Sequence, residues 1–424
     1  MESIRAHNPR DLIVISASDD QKRASRVNTF PQWGAPNGLS LEMYLNRDEL
    51  MDSEAWAADR KLVTWILTTK STADQSDTPL LAHCETFRRA AFVLDQSATD
   101  SENETSIEGR KKRLKRAVGY GIASVFTPAV HRSKGYAKRL LKELHYLLAP
   151  SESLPPFPES LGSHTPKVPS ELTGMLQDGA FSVLYSDIGP SFYTGCYVGE
   201  SEPGWVSQSS ITWEFPILPS SLTETDKEAG TNVKWIYLKE DITHIQSRVS
   251  EELYTQLEST TSERDKDCVE LGFLPEQGLL YTSIVRSQLV DTQPGPKQAR
   301  RTYGFQTSDG GLVVWSPVVE KGKGKGLGIT FTMGKIPYDL IARAAASEQY
   351  DWIEIWDDRW LAEQEGMGWP VDGRRIERKE HLAQLCYYDR PKVDKARWVY
   401  NERLTDRFVP SDHFILGMHG AEVD

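Results

Sequence analysis

Cysteine is scarce in this chain: Cys84, Cys196, Cys268 and Cys386 are the only four in 424 residues, and no two form a C-x-x-C pair. That spacing argues against a zinc ribbon and against a disulfide framework, so reduced, mostly buried thiols are expected. Long apolar runs are missing too. The N-terminus, MESIRAHNPRDLIVIS, has one short apolar stretch and no signal-peptide layout. No segment nears the roughly 20 residues needed to span a membrane, so a cytoplasmic protein without membrane partners is expected. Positive charge is in deficit, since 49 Lys and Arg against 61 Asp and Glu leave −12. A general nucleic-acid binder, which needs a basic face, is therefore disfavoured. The P-loop, with its two glycines and Lys-Ser/Thr pair, and the three-glycine dinucleotide fingerprint are both absent. His83, His131 and His145 are not arranged as ligands, so no metal is expected.

What is present is concentrated in Ala117 to Leu148, AVGYGIASVFTPAVHRSKGYAKRLLKELHYLL. Val118, Ile122, Val125 and Phe126 predict a strand that Pro128 must end. Leu140, Leu141, Leu144, Leu147 and Leu148 recur at helical spacing, with Lys138, Arg139, Lys142 and Glu143 on the other face, so a helix begins near Ala137. Between them lie Arg132, Ser133, Lys134, Gly135, Tyr136 and Ala137. Gly135 and Ala137 let the backbone approach a ligand closely, and the first helical amides point outward, ready for an anion. Arg132 and Lys134 add charge to what reads as a pyrophosphate cradle.

This loop resembles the R/Q-x-x-G-x-G/A loop of the GNAT N-acyltransferases, whose anion is the pyrophosphate of acetyl-CoA. The chain is further similar to the fungal lysine N-acetyltransferases through LSLEMYLNRDELM (39–51), AHCETFRRAAF (82–92), GIASVFTP (121–128) and FSVLYSDIGPSFY (181–193). The resemblance implies a GNAT fold, an α/β architecture with a mixed central sheet and flanking helices. It implies acetyl-CoA as acyl donor and the side-chain amine of free L-lysine as acceptor, with direct attack in a ternary complex. One departure is visible: Tyr193 is followed by TGCY where a Y-x-x-x-G-F pattern is usual.

A chain of 424 residues exceeds one ordinary hydrophobic core, and 12 tryptophans supply ample material to bury. Two domains are expected. Strands at Leu12–Ser16, Lys61–Thr69, Leu80–Leu94, Phe181–Tyr185 and near Gln208–Phe215, with a helix over Leu41–Leu50 and a short one from Asp187 to Tyr193, place a catalytic domain at 1–218. Asp95–Arg116 reads as a polar hairpin insert, and the proline- and serine-rich segment after Leu148 as a long loop that can fold over the site. A linker is expected at 219–231, followed by a mixed α/β domain at 232–424 that contributes to the substrate cleft. Its strands at Gly311–Val319, Gly328–Met333 and Trp352–Trp356, with a helix at Tyr338–Gln349, repeat the first domain's order without its phosphate loop, as in a degenerate copy.

Acyl transfer from a thioester to an amine needs a neutral nucleophile, a polarised carbonyl and a proton for the leaving thiol. A lysine amine with pKa near 10.4 is neutral in only about one molecule in 2,500 at pH 7. Glu85, on the strand expected beside the CoA-binding strand, is the candidate base, with pairing to Arg88 or Arg89 as the competing role. Asp187 is a second candidate that helix capping explains better. The resemblance implies that Tyr193 protonates the thiol, with core packing as the alternative. Backbone amides near Val125, Phe126 and Thr127 are expected to polarise the carbonyl. Another small amine, such as a polyamine or a biosynthetic intermediate, and a non-catalytic CoA-binding protein remain open.

Overall fold

The computed structural model describes residues 7–96, 113–162, 165–217, 233–259, 268–291, 301–320, 323–356, 358–399 and 402–405. Most of the expected polar insert and all of the expected linker lie outside the described residues. Two mixed sheets carry the architecture. In the first, β1 (Leu12–Ser16), β2 (Leu62–Thr69), β3 (Ala82–Asp95) and β4 (Leu114–Phe126) pair antiparallel in chain order. Helices α1 (Asp19–Trp33) and α2 (Leu41–Asp52) stand between β1 and β2. Each starts on a serine cap, Ser18 in a capping box with Gln21 and Ser40 accepting from the Met43 amide. After β4, helix α3 (Tyr136–Leu148) leads to β5 (Gly179–Ser186), which pairs with β4 in parallel. The five leucines predicted on one face of α3 are all buried, each worth about 1.5–3 kcal/mol of transfer free energy.

The next strands do not stay in the half of the chain that encodes them. β6 (Val206–Ser207) remains at the edge of the first sheet, but β7 (Ile211–Pro216) enters the second. There β8 (Val233–Ile236), β10 (Gly304–Thr307), β11 (Leu312–Glu320) and β12 (Gly324–Met333) pair antiparallel. Between β8 and β10 come α4 (Glu240–Thr243), α5 (Gln246–Ser259), β9 (Val269–Phe273) and α6 (Thr282–Asp291). Helix α7 (Tyr338–Ser347) follows β12, and β13 (Trp352–Ile355) pairs with β12 in parallel. Beyond α8 (Asp358–Ala362), β14 (Arg374–Glu377) flanks β7, whereas β15 (Leu382–Tyr387) crosses back to pair with β5 and β6. The last strand, β16 (Ala396–Trp398), pairs with β9, which itself joins β3.

The seven strands of the second sheet thus repeat the order of the first, which carries β9 and β16 in addition, and each half supplies the other's strand beyond the parallel pair. The expected assignment of Gln208–Phe215 to the first domain's sheet is corrected accordingly: the 1–218 and 232–424 division cuts the chain but not the sheets. The physical reason is that β7 offers the same backbone edge to either sheet, and β13 receives it over Ile355↔Trp213 to Trp352↔Pro216. One core lies under α3, a second between the first sheet and the second half (Phe87, Phe181 and Val183 with Leu312, Val314 and Phe331), and a third under α7. All four cysteines are buried. Among the described residues, no helix is long and apolar enough to cross a membrane.

Two further expectations change. Residues 187–196 form bends and turns rather than a helix; the Gly195 amide makes one i→i−4 bond to Ser191, and Trp205 then claims the Tyr193 carbonyl. The long loop after Leu148 packs along α3 and β1 instead of folding over the site: Tyr146 donates to the Pro155 and Pro156 carbonyls, Arg139 to Leu161, and Ser16 to Glu171.

Candidate active site

The site begins where β4 and β5 part. Their parallel ladder runs from Val118↔Gly179 to Gly121↔Val183 and stops. Past that point, Ile122–Phe126 and Leu184–Ser186 splay, leaving the β5-facing backbone of β4 unpaired by β5. β4 also carries a bulge. His83 pairs with Phe126 but Glu85 with Ala123, so β4 holds one residue more than β3 over this span. Ser124, inside the bulge, has φ 55°, a left-handed conformation uncommon outside glycine and asparagine.

Beyond the end of β4 comes the loop singled out in the sequence. Ser133 (φ 57°) and Gly135 (φ 75°) are both left-handed, and Gly135 occupies the N-cap of α3 without a capping side chain. A Cβ built on Gly135 meets no atom within 4 Å, so the cradle opens to solvent. The first amide of the helix to find a carbonyl is Arg139, bonded to Gly135 at 2.9 Å. Among the described residues, no acceptor is recorded for the amides of Lys134, Gly135, Tyr136, Ala137 and Lys138. Successive N–H groups of this kind, at the positive end of a thirteen-residue helix, form an anion site.

The charged side chains sit around it. Arg132 donates Nε to the Thr127 carbonyl at 3.2 Å and lies 5.7 Å from the Phe126 ring centre; Lys134 caps the Val130 carbonyl at 3.0 Å. Lys138, one turn on, stands 5.4 Å from the ring of Phe192. Tyr136 is buried beneath the loop, its hydroxyl accepting from the His7 amide at 3.1 Å. Val125 packs toward the α3 core and Phe126 against His83 and Trp33 on the opposite face. The predicted loop and the end of β4 are therefore brought together around one opening.

Glu85 is on the face covered by α1 and α2. It is buried, and Ser124 Oγ donates to its Oε2 at 2.6 Å. The expected arginine partners are engaged elsewhere: Arg88 with Asp178, and Arg89 with the Trp56 carbonyl. Its charge is felt by Arg26 of α1 and Tyr44 of α2, both held above their ordinary pKa. For Arg26, the nearby Asp52, Glu85 and Asp48 outweigh the opposing effect of burial; for Tyr44, burial is the main cause. Burial lowers His83, two residues before Glu85, to about 4, so it is neutral at pH 7.

Tyr193 belongs to the other face, in the core formed with Ile122 of β4, Leu184 of β5 and Tyr136 of α3. Burial, then Cys196, Asp187 and Cys84, drive its phenol pKa well up, so the proton stays on. Asp187 is not a helix cap; it accepts from the His381 amide at 3.0 Å and anchors the turn into β15. Sequence reasoning missed Ser124 and Arg26, because neither a serine within a β-rich run nor an arginine on a polar helix signals a partner on another element. His145 is a packing residue, stacked on Trp205 at 4.1 Å with Nε2 3.0 Å from the Cys196 carbonyl. Among the described residues, no group of His, Cys, Asp and Glu is placed to hold a metal.

The chain is 25% identical over 200 residues to a protein of Yarrowia lipolytica named lysine acetyltransferase. The match takes in 47% of this chain and spans 42% of that relative's length. Among solved structures, it is similar to a GCN5-related N-acetyltransferase from Kribbella flavida (TM-score 0.47, 12% identity, 90% of this chain and 73% of that one). Another such protein, from Anabaena variabilis, gives TM-score 0.47 at 12% identity over 89% and 73%. No protein-family profile matches the chain.

Proposed function

We propose that the chain is an acetyl-CoA-dependent N-acetyltransferase that acts on the side-chain amine of free L-lysine in a ternary complex. The observation that carries this reading is the row of amides, Lys134 to Lys138, turned outward at the mouth of the β4–β5 splay. The similarity to a lysine acetyltransferase supports the acceptor. Bound acetyl-CoA supplies the acyl group as a thioester. Gly135, Tyr136 and Ala137 would receive the pyrophosphate through their N–H groups, with Arg132, Ser133 and Lys134 beside it. The absence of any atom near the Gly135 Cβ position fits that role.

Glu85 and Tyr193 lie on opposite faces of the splayed strands, and the reaction needs that separation. The amine approaches from the α1 and α2 face, where Glu85 takes its proton directly or through water. Backbone amides of Val125, Phe126 and Thr127 steady the charge developing on the carbonyl oxygen. The new amide bond forms at the lysine nitrogen, and the thiolate leaves on the α3 face, where Tyr193 gives up its proton.

Incubation of the purified protein with acetyl-CoA and single amino acids, read by mass spectrometry with fragmentation, tests this. Acetyl on the distal nitrogen of lysine is expected, with ornithine slower because its amine is one methylene short. Acetylation confined to the α-amine, or rapid use of another amine with lysine untouched, would favour the small-amine reading. Tight CoA binding without product from any amine would favour a non-catalytic protein, the reading that the TGCY departure after Tyr193 favours.

A further inference from the structure

We infer that Ser124 is the positioning residue of the reaction, tying the base Glu85 to the bulge that shapes the acyl-binding strand. The inference rests on the role proposed above for Glu85. Three observations converge on it. The register slip between Glu85↔Ala123 and His83↔Phe126 puts an extra residue in β4 immediately after the partner of the base. Ser124 adopts φ 55° there, although it is not a glycine. Its hydroxyl donates to Glu85 Oε2 at 2.6 Å. A strained residue persists where the surroundings over-determine it, and such positions cluster at functional sites.

The two consequences are linked through one residue. The bulge at Ser124 lies in the stretch of β4 that β5 no longer pairs, and the Ser124 side chain holds the carboxylate of Glu85 on the neighbouring strand. A hydrogen bond to a carboxylate favours the ionised form, which is the form able to take a proton. The other groups bearing on Glu85 keep their charge across neutral pH. Arg26 from α1 stays protonated, with Asp48 and Asp52 behind it, and Tyr44 from α2 stays neutral. On β3 itself, His83 is neutral above about 4 and burial pushes the Cys84 thiol well above its usual value. As the proposed base, Glu85 must be ionised to act, so its protonation is what an acid limb would report.

The test is the pH profile of kcat/KM, with whichever amine the protein consumes, in Ser124→Gly, Ser124→Asn and Glu85→Gln. Glycine relaxes the left-handed backbone and removes the donor, so thermal stability should hold or rise. The acid limb should move up by about one pH unit, with an activity loss of about tenfold below it. Asparagine tolerates the left-handed region and carries an N–H donor, so it should return the limb toward its original position. Glu85→Gln should lower kcat at least a hundredfold. An unshifted limb in Ser124→Gly, alongside an inactive Glu85→Gln, overturns the role of Ser124 and leaves that of Glu85 standing. Full activity in Glu85→Gln overturns both.

Discussion

Two helices hold equivalent places in the two halves, and their N-termini are built differently. α3 starts at a left-handed glycine, and among the described residues no acceptor is found for the amides from Lys134 to Lys138. α7 starts after Pro337, which has no N–H, and the amides on either side of it are taken: Ile336 donates to Gln364 at 2.9 Å and Tyr338 to the Met367 carbonyl at 2.9 Å. The bulge is repeated, since β12 carries Thr330 as an extra residue between Ile329↔Trp315 and Phe331↔Val314. The second opening, beside β12 and β13, is lined by Thr330, Thr332, Trp356, Glu402 and Arg403. Arg403 pairs there with the buried Glu354 and lies over Trp356. The same strand order thus carries two differently lined openings. The first half holds the candidate site, and the second supplies β9, β15 and β16 to its sheet.

The most severe way to break this comparison is to separate the halves. A chain ending at residue 231 leaves β5 without the β15 ladder from Leu382↔Ser186 to Tyr387↔Phe181, and β7 without a sheet. Loss of cooperative folding is expected by circular dichroism and thermal melting. Co-expression of 1–231 with 232–424 should restore a soluble complex, and a stable, CoA-binding 1–231 fragment would show that the strand exchange is dispensable.

Next comes Gly135→Glu. A side chain and a negative charge would occupy the anion cradle, so CoA binding should fall below detection by calorimetry while the fold persists at a cost of about 1 kcal/mol for the left-handed position. The matching change, Pro337→Gly, should leave the stoichiometry at one CoA per chain, because the flanking amides of Ile336 and Tyr338 are already bonded to Gln364 and Met367. A second bound CoA would contradict the contrast drawn between the helices.

Tyr193→Phe should have a smaller effect. Turnover should drop by about a hundredfold with KM nearly unchanged, as when an interaction is made only in the transition state. Unaltered turnover with a lowered melting temperature would make Tyr193 a packing residue.

The mildest prediction concerns acid. His145 of α3, against Trp205 and Tyr388, is pushed by burial down to about 3, whereas α7 carries no histidine. An unfolded histidine titrates near 6.5. The neutral buried form therefore contributes its full stability above 6.5 and loses it as pH falls toward 3, by about 1.4 kcal/mol per pH unit. Denaturant titrations from pH 7 to 4 should show a shallower slope in His145→Gln, and equal slopes would remove His145 from the acid response.

Much of the site was legible in the residues, because the strand, loop and helix are contiguous. Pro128 ends β4, Gly135 permits the left-handed turn, and the leucines commit α3 to one face, all within 32 residues. Tyr193 and Glu85 were legible only as residue types in the right order. The helix expected around Tyr193 failed because Gly189, Pro190 and Gly195 favour turns and Trp205 competes for the backbone. Ser124 gave no signal, since positive φ is anticipated at glycine or asparagine and not at serine.

By itself, the chain's sequence determined the local elements, the repeated order of the two halves and the glycine-containing loop present in only one of them. These follow from periodicity, turn chemistry and the special freedom of one glycine, which act over a few residues. Tertiary structure alone decided that β7 and β15 change places, that the amides flanking Pro337 are taken by Gln364 and Met367, and that a bulge hands Ser124 to Glu85. The reason is that a strand's edge carries the same backbone donors and acceptors whatever its sequence, so the partner is selected by packing across distant segments.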